Sequence, residues 1–347
     1  MKRTAIIRSL CVAALSLLCL AALPSCERIF EYEGDCSVNW RMNFRYDLNM
    51  KFADAFSHKT RYVTLYAFDQ DGTLVWQNSE QGEELSQEGY AMTLDLQPGV
   101  YDIIAWAYCD LAKDCFTFHT TKSEGVVKKE DIRCEIIREH DENGKTIVND
   151  HLGTLMHGYI DDLVVTAEEG VHDVRMQMTK NTNDICIVLQ NLNGAPMDKD
   201  DFTFTITDDN GIMGWDNSLL PCEELTYKSW RKAAGTAGDI VEDPVEQTRT
   251  ITSASVVLAE MTLGRLMLDK KPRLNITNKA GELIVSIPLV DYALLIKSHY
   301  DDMTDQEYLD RQDEFNLTFF LDANMHWISS YIYINSWKVV LSDVDFS

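Results

Sequence analysis

"CSVNWRMNFRY", residues 36–46, alternates without a break. Val38, Trp40, Met42, Phe44 and Tyr46 fall on one side of an extended chain; Asn39, Arg41, Asn43 and Arg45 fall on the other. A period of two belongs to a strand, so the stretch predicts a half-buried β-strand with its apolar side on a core. The same reading extends along the chain. "RYVTLYAF" (61–68), "DQDG" (69–72) and "TLVW" (73–76) predict strand, turn and return strand. "YAMTLDL" (90–96) and "VYDIIAWAYC" (100–109) predict two more strands around Pro98-Gly99. "LNMKFADAFSHKT" (48–60) reads as a loop with one helical turn, and "KKEDIRCEIIREHDENGK" (128–145) as a hairpin or loop carrying little core. "HLGTLMHGYIDDLVV" (151–165) and "HDVRMQM" (172–178) read as strands closing a first domain, with a boundary near residue 167.

The second half repeats the style. Strands are expected in "DICIVLQN" (184–191), "DFTFTITDDNG" (201–211), "SASVVLAEMTLGRLMLD" (253–269), "PRLNITN" (272–278), "ELIVSIPLV" (282–290) and "LTFFLD" (317–322). "KAAGTAGDIVEDPVEQTR" (232–249) reads as a loop by composition. In "MTDQEYLDRQDEF" (303–315), Thr304 and Glu307 have capping-box spacing, so one short helix is expected there. "WISSYIYINSWKVVL" (327–341) reads as one strand with Trp327, Tyr331, Tyr333, Trp337, Val339 and Leu341 on one face and Ile328, Ile332, Ile334 and Val340 on the other. Apolar residues on both faces imply a strand covered on both sides, or one that docks with a partner sheet through Tyr331, Tyr333 and Trp337. The predicted fold is all-β with one short helical insertion, as two tandem β-sandwiches over 36–167 and 168–347.

The N-terminus has a different logic. Lys2, Arg3 and Arg8 precede an apolar run over 10–23, the pattern of a secretory signal ending at residue 25. Leu23-Pro24-Ser25-Cys26 resembles the bacterial lipobox, with Pro24 where a small residue is usual. The resemblance implies diacylglycerol and an N-acyl chain on Cys26, an anchorage that two chains already make stable. Residues 26–35 then form a lipidated tether. At most about 3.3–3.6 Å per residue is available, so the first strand sits close to the bilayer.

Composition excludes several functions. Loss of residues 1–25 takes the formal charge from −25 to −28, which opposes binding to nucleic acid. Six cysteines remain after Cys11, Cys19 and Cys26: Cys36, Cys109, Cys115, Cys134, Cys186 and Cys222. They are candidate disulfide cysteines in an exported protein, with fifteen pairings open and six free thiols equally open. Neither HExxH, GxSxG, a phosphate loop nor CxxC occurs. His151 and His157 have a spacing that suits no metal face, and "DQDG" and "DDNG" lack the distal Glu of a calcium loop. Asp161-Asp162 and Asp301-Asp302 have the form of glycosidase carboxylates, yet 56 acidic residues produce such pairs freely. No catalytic residue, metal site or cofactor is expected beyond the lipid.

Nine segments together resemble one family, the FimB-type fimbrial anchor proteins of Bacteroidales. They are "RYDLNMKFADAF" (45–56), "VTLYAFDQDGTLV" (63–75), "MHGYI" (156–160), "KNTNDICIVL" (180–189), "DDNG" (208–211), "LGRLM" (263–267), "IPLVDYALLIK" (287–297), "QEYLDRQDEFNLTFFL" (306–321) and "INSWKVVL" (334–341). The resemblance implies two transthyretin-like sandwiches and an outer-membrane lipoprotein, lipidated at Cys26, that holds a fimbrium to the cell and limits its length. Its implied partner is a fimbrial stalk subunit (fimbrillin). Stalk subunits of this kind lose an N-terminal strand by cleavage at an Arg and are joined by donated strands. An anchor is expected to keep that strand, here 36–46 with Arg41 and Arg45 inside it. The competing expectation is a surface lipoprotein that binds glycans through exposed aromatics among Trp76, Trp106, Trp215, Trp230 and Trp327.

Overall fold

A computed structural model describes residues 37–120, 125–242, 249–300 and 302–341. The alternating stretch forms β1 (Val38–Arg45), with Met42, Phe44 and the following Tyr46 buried. A short helix α1 (Phe56–Lys59) leads to β2 (Tyr62–Phe68), β3 (Leu74–Gln81), β4 (Ala91–Leu94) and β5 (Gly99–Tyr108). Then come β6 (Phe116–Thr120), β7 (Ile132–Ile136), β8 (Glu139–His140), β9 (Thr146–Val148), β10 (Leu155–Val165) and β11 (Gly170–Lys180). Seven of these make one sheet, in the order β3-β2-β5-β10-β11-β1-β4.

Strand β11 turns that sheet into a sandwich. Gly170–Gln177 pair in parallel with β1, while Met178–Lys180 pair antiparallel with β10. Met42 and Phe44 of β1, Met92 of β4, Leu65 of β2 and Ile103 of β5 share one closed core, so strands at both ends of the sheet face each other across it. Gly158 permits the crossing. A Cβ there would lie 2.6 Å from Met176 Sδ and 2.7 Å from Met178 Sδ.

The remaining strands are β12 (Thr182–Asn191), β13 (Phe202–Asp208), β14 (Ile212–Gly214), β15 (Leu225–Lys228), β16 (Arg231–Glu242), β17 (Arg249–Gly264), β18 (Arg273–Asn278) and β19 (Leu283–Pro288). Helices α2 (Leu289–Leu294) and α3 (Asp305–Arg311) precede β20 (Glu314–Leu321), β21 (Tyr331–Ile334) and β22 (Trp337–Val340). Two six-stranded sheets result, β16-β17-β12-β20-β21-β22 and β19-β18-β13-β15-β9-β8. Ile187, Val257 and Phe319 of the first meet Phe204, Tyr227 and Ile276 of the second in one core. As β1 lies parallel to β11, so β12 lies parallel to β20.

One turn recurs four times. Asp69, Asp141, Asn278 and Asp322 each accept the backbone N–H groups two and four residues on, at 2.8–3.0 Å. The third residue on has positive φ: Gly72, Gly144, Gly281 and, unusually, Met325 at 64°. Met325 holds that conformation while packing on the core and accepting an N–H from Asn191 through its sulfur at 3.4 Å.

Several expectations are corrected. Residues 232–242 are strand, paired residue by residue with β17, because long-range pairing overrides a Gly- and Ala-rich composition. The strand ending "SIPLV" stops at Pro288, and Leu289 opens α2, so there is more than one helical insertion. Strand β7 buries Ile132, Cys134 and Ile136, so 128–145 does carry core. Strand β11 lies wholly beyond the expected boundary at 167 yet belongs to the first sheet, while β8 and β9, which precede that boundary, join the sheet of β13 and β15.

The C-terminal stretch is a hairpin and not one strand. Asn335 and Ser336 both have positive φ, 46° and 72°, as a two-residue turn of the primed type demands. Such a turn pairs odd residues with even ones: Tyr331 opposes Val340, Tyr333 opposes Lys338, and Ile334 opposes Trp337. Tyr331 and Tyr333 therefore share a face with Lys338 and Val340, while Trp337 and Val339 share the other with the buried Ile332 and Ile334.

Candidate functional site

Cys26, Cys36 and the whole N-terminal segment lie outside the described residues. The first described strand, β1, is firmly seated. It has β4 on one side and β11 on the other. Arg41 gives Asp173 a two-pronged bond, 2.9 Å through each nitrogen, and Arg45 pairs with Asp47. Trp40 donates its indole N–H to Thr166 O at 3.2 Å and stacks on His172 with ring centres 4.6 Å apart.

Past β1 the chain is tied to the helix and strand near the C-terminus. Tyr46 donates its hydroxyl to Asp313, and burial beside that carboxylate drives the phenol far above its usual range. Arg311 donates to Asp47 O at 3.0 Å and lies 4.7 Å over the Phe52 ring, while Met50 N–H donates to Arg311 O at 3.1 Å. The buried Lys180 ammonium stands 3.6 Å from Asp184 and 3.9 Å from Asp313.

A second set of bonds continues inward. Arg265 grips Asp310 through two nitrogens at 2.8 Å, both side chains nearly buried, and donates to Asn217 O at 2.9 Å. Asn217 and Asn181 exchange side-chain amide bonds. His157 bonds Trp215 O at 2.8 Å, and burial holds its imidazole neutral with its pKa lowered to about 4. The helix opens as its spacing implies, with Glu307 N–H donating to Thr304 Oγ at 3.1 Å. Residues from "RYDLNMKFADAF", "MHGYI", "KNTND", "LGRLM" and "QEYLDRQDEF" thus converge on one junction between the two ends of the chain.

Strand β22 is the outer edge of its sheet. Trp337 is 45% exposed and stacks on His299 at 3.9 Å. Tyr331 and Tyr333 lie 4.9 and 5.6 Å from the Phe320 ring, and Lys338 sits 4.6 Å over Tyr331. The hairpin thus brings Tyr331 and Tyr333 together and turns Trp337 away from them.

The other candidates have structural settings. Cys109, Cys115, Cys134, Cys186 and Cys222 stand as free thiols. Cys109 accepts from Thr154 N–H at 3.1 Å, and burial pushes the Cys134 thiol well up. Trp106 is buried, and Trp76, Trp215, Trp230 and Trp327 are half-buried. Lys129 covers Trp215 at 4.5 Å and His151 stacks on Trp230 at 4.5 Å. Asp102, Asp161 and Asp162 gather their oxygens within 4.8 Å, but Lys129 neutralises Asp102 at 2.6 Å. No helix among the described residues is long and apolar enough to cross a membrane.

In this junction Arg265, Asp310, Arg311, Asn181 and Asn217 bond backbone groups and one another, within a molecule of β-sheets packed face to face around apolar cores. The chain belongs to the family described as Fimbrillin-A associated anchor proteins Mfa1 and Mfa2, whose model matches residues 32–343. A proposed adhesin from Bacteroides thetaiotaomicron is 35% identical, with a TM-score of 0.73 over 87% of this chain and 97% of that one. A proposed polysaccharide-binding protein from the same species is 30% identical, with a TM-score of 0.72 over 88% and 99%. The fimbrial anchor protein Mfa2 from Porphyromonas gingivalis shares the fold, with a TM-score of 0.62 at 16% identity over 87% and 98%. No curated protein matches the chain.

Proposed function

We propose that this protein is a non-enzymatic lipoprotein, held in the outer membrane at the cell surface through acyl chains on Cys26, that anchors a fimbrium and limits its length. Its two halves act as tandem transthyretin-like sandwiches, and its partner is a fimbrial stalk subunit. The seating of β1 carries this reading. A subunit that receives a partner's strand must first surrender its own, whereas here β1 is paired on both sides, its two arginines are engaged, and the chain beyond it is bolted to Arg311 and Asp313. An engaged arginine in a paired strand is a poor protease site. The edge of β22, outermost among the described strands of its sheet, offers a site for strand addition to the stalk.

Deleting the gene is expected to release fimbriae into the medium and alter their length. Fimbriae still cell-bound and of normal length would end the reading. Cys26→Ala is expected to move the protein from membrane to soluble fractions, with loss of labelled palmitate.

Glycan binding is the second reading, supported by the description of the 30%-identical relative. It has weaker footing on the tryptophans, since Trp106 is buried and Lys129 and His151 cover Trp215 and Trp230.

A further inference from the structure

The sheet β16-β17-β12-β20-β21-β22 has two apolar faces. One lines the core. The other looks outward, and strand register lays two apolar rows across it. Ala233, Leu258, Val188, Thr318 and Tyr333 stand side by side on consecutive strands. The next row runs Gly235, Val256, Gln190 and Phe320, whose ring meets Tyr331; Val340 opposes that tyrosine. Val188, Val256 and Leu258 belong to neither core and pack against neither, and Val340 is 63% exposed. A sheet face turned to water ordinarily carries mostly polar side chains, so a belt broken only by Gln190 and Thr318 marks a contact surface.

Charge and ring geometry select the occupant. Below the belt, Glu260 pairs with Arg231 and Asp184 lies 3.6 Å from Lys180, while Glu314, beside Asp184 in the following row, is exposed. A second copy would oppose these acids with its own, on a chain of net charge −25. An anionic lipid surface meets the same repulsion. A sugar needs free aromatic faces, yet Phe320 is 8% exposed and Lys338 covers Tyr331. Aliphatic side chains with tyrosines at one end match the core of a protein–protein interface.

We infer that this outward face, and not the β22 edge alone, is the seat of the fimbrial subunit: a protein partner presenting an apolar patch bordered by basic side chains. The inference rests on the fimbrial reading above. The partner packs face-on against the belt, its basic rim meets the exposed Glu314, and β22 extends the same contact to the sheet edge.

The test uses the full chain and fimbriae collected from cultures of cells lacking this gene. Val188→Lys with Leu258→Lys is compared with Thr205→Lys and Asn275→Lys, which lie on the outward face of the other sheet. The belt variant is expected to bind at least tenfold more weakly and the control to bind like the unaltered protein, all melting alike. Unchanged affinity of the belt variant, with the unaltered protein binding, overturns the face assignment and leaves the anchor reading standing. Absence of binding by the unaltered protein overturns both. Self-association in the centrifuge that the belt substitutions abolish would make the occupant a second copy and overturn the assignment. Should the lysines unfold the protein, Val256→Ser with Leu258→Ser carries the same expectations.

Discussion

The two sheets of the C-terminal half present opposite surfaces to solvent. The sheet containing β13 and β18 shows Thr203, Thr205, Thr207, Asn275 and Thr277, and β19 adds Ser286. Its partner sheet shows Val188, Val256, Leu258 and Tyr333, each half-buried. Their inner faces are equally apolar and meet in one core. A sandwich needs only the inner faces to fold, so the second apolar face answers a requirement outside the fold.

That comparison can be strained at several points. The largest effects lie inside. Phe319→Ala, one position from outward Phe320 and fully buried, is expected to cost about 3–5 kcal/mol in denaturant unfolding. Leu258→Lys on the outward face is expected to change stability by less than about 0.5 kcal/mol, and a large loss there would show that the belt belongs to the core. At the junction, Asp310→Ala leaves the Arg265 guanidinium nearly buried and unpaired, and a loss of about 3–5 kcal/mol is expected by the same measurement.

A pH effect comes next. Asp208 closes the inner face of the threonine-rich sheet, 4% exposed, and its Oδ2 has no hydrogen-bond partner among the described residues. Burial, reinforced by Asp209, raises its pKa from 3.8 to about 7, against the opposing pull of Asp209 N–H and Lys270. The native state then holds a proton that the unfolded chain releases. Stability contributed by this group is full below about pH 4 and falls as pH rises towards about 7. Asp208→Asn is expected to flatten that fall, by an amount on the order of a few kcal/mol at pH 8. A variant whose stability follows the unaltered protein across pH 4–8 would show Asp208 ionised throughout. The smallest effect is expected at Met325. Glycine relieves its positive φ but loses its packing, so Met325→Gly should alter the melting temperature by only a few degrees.

Much of the fold was legible locally. The alternation of 38–46, the turn opened by Asp69 and the cap at Thr304 depend on neighbours in sequence, and each stands as its residues imply. What was hidden depends on distant partners. Strand β16 draws its form from β17, and β11 belongs to the first sheet because β1 and β10 flank it. The two-residue turn at Asn335-Ser336 lacks glycine and so concealed a hairpin that reverses which face Trp337 occupies. The junction was present in the sequence as five family-like segments without a stated reason for their company. The outward belt was invisible, since Leu258, Val188 and Tyr333 become neighbours only through strand order.

Site-specific photo-crosslinking in fimbriated cells tests the central claim most directly. A benzophenone side chain is placed in turn at Val256, on the apolar outward face, and at Thr205, on the threonine-rich one, and adducts are identified by mass spectrometry. The account predicts a fimbrial subunit joined through residue 256 and none through 205. Equal adducts from both faces, or a subunit captured only through 205, would contradict it.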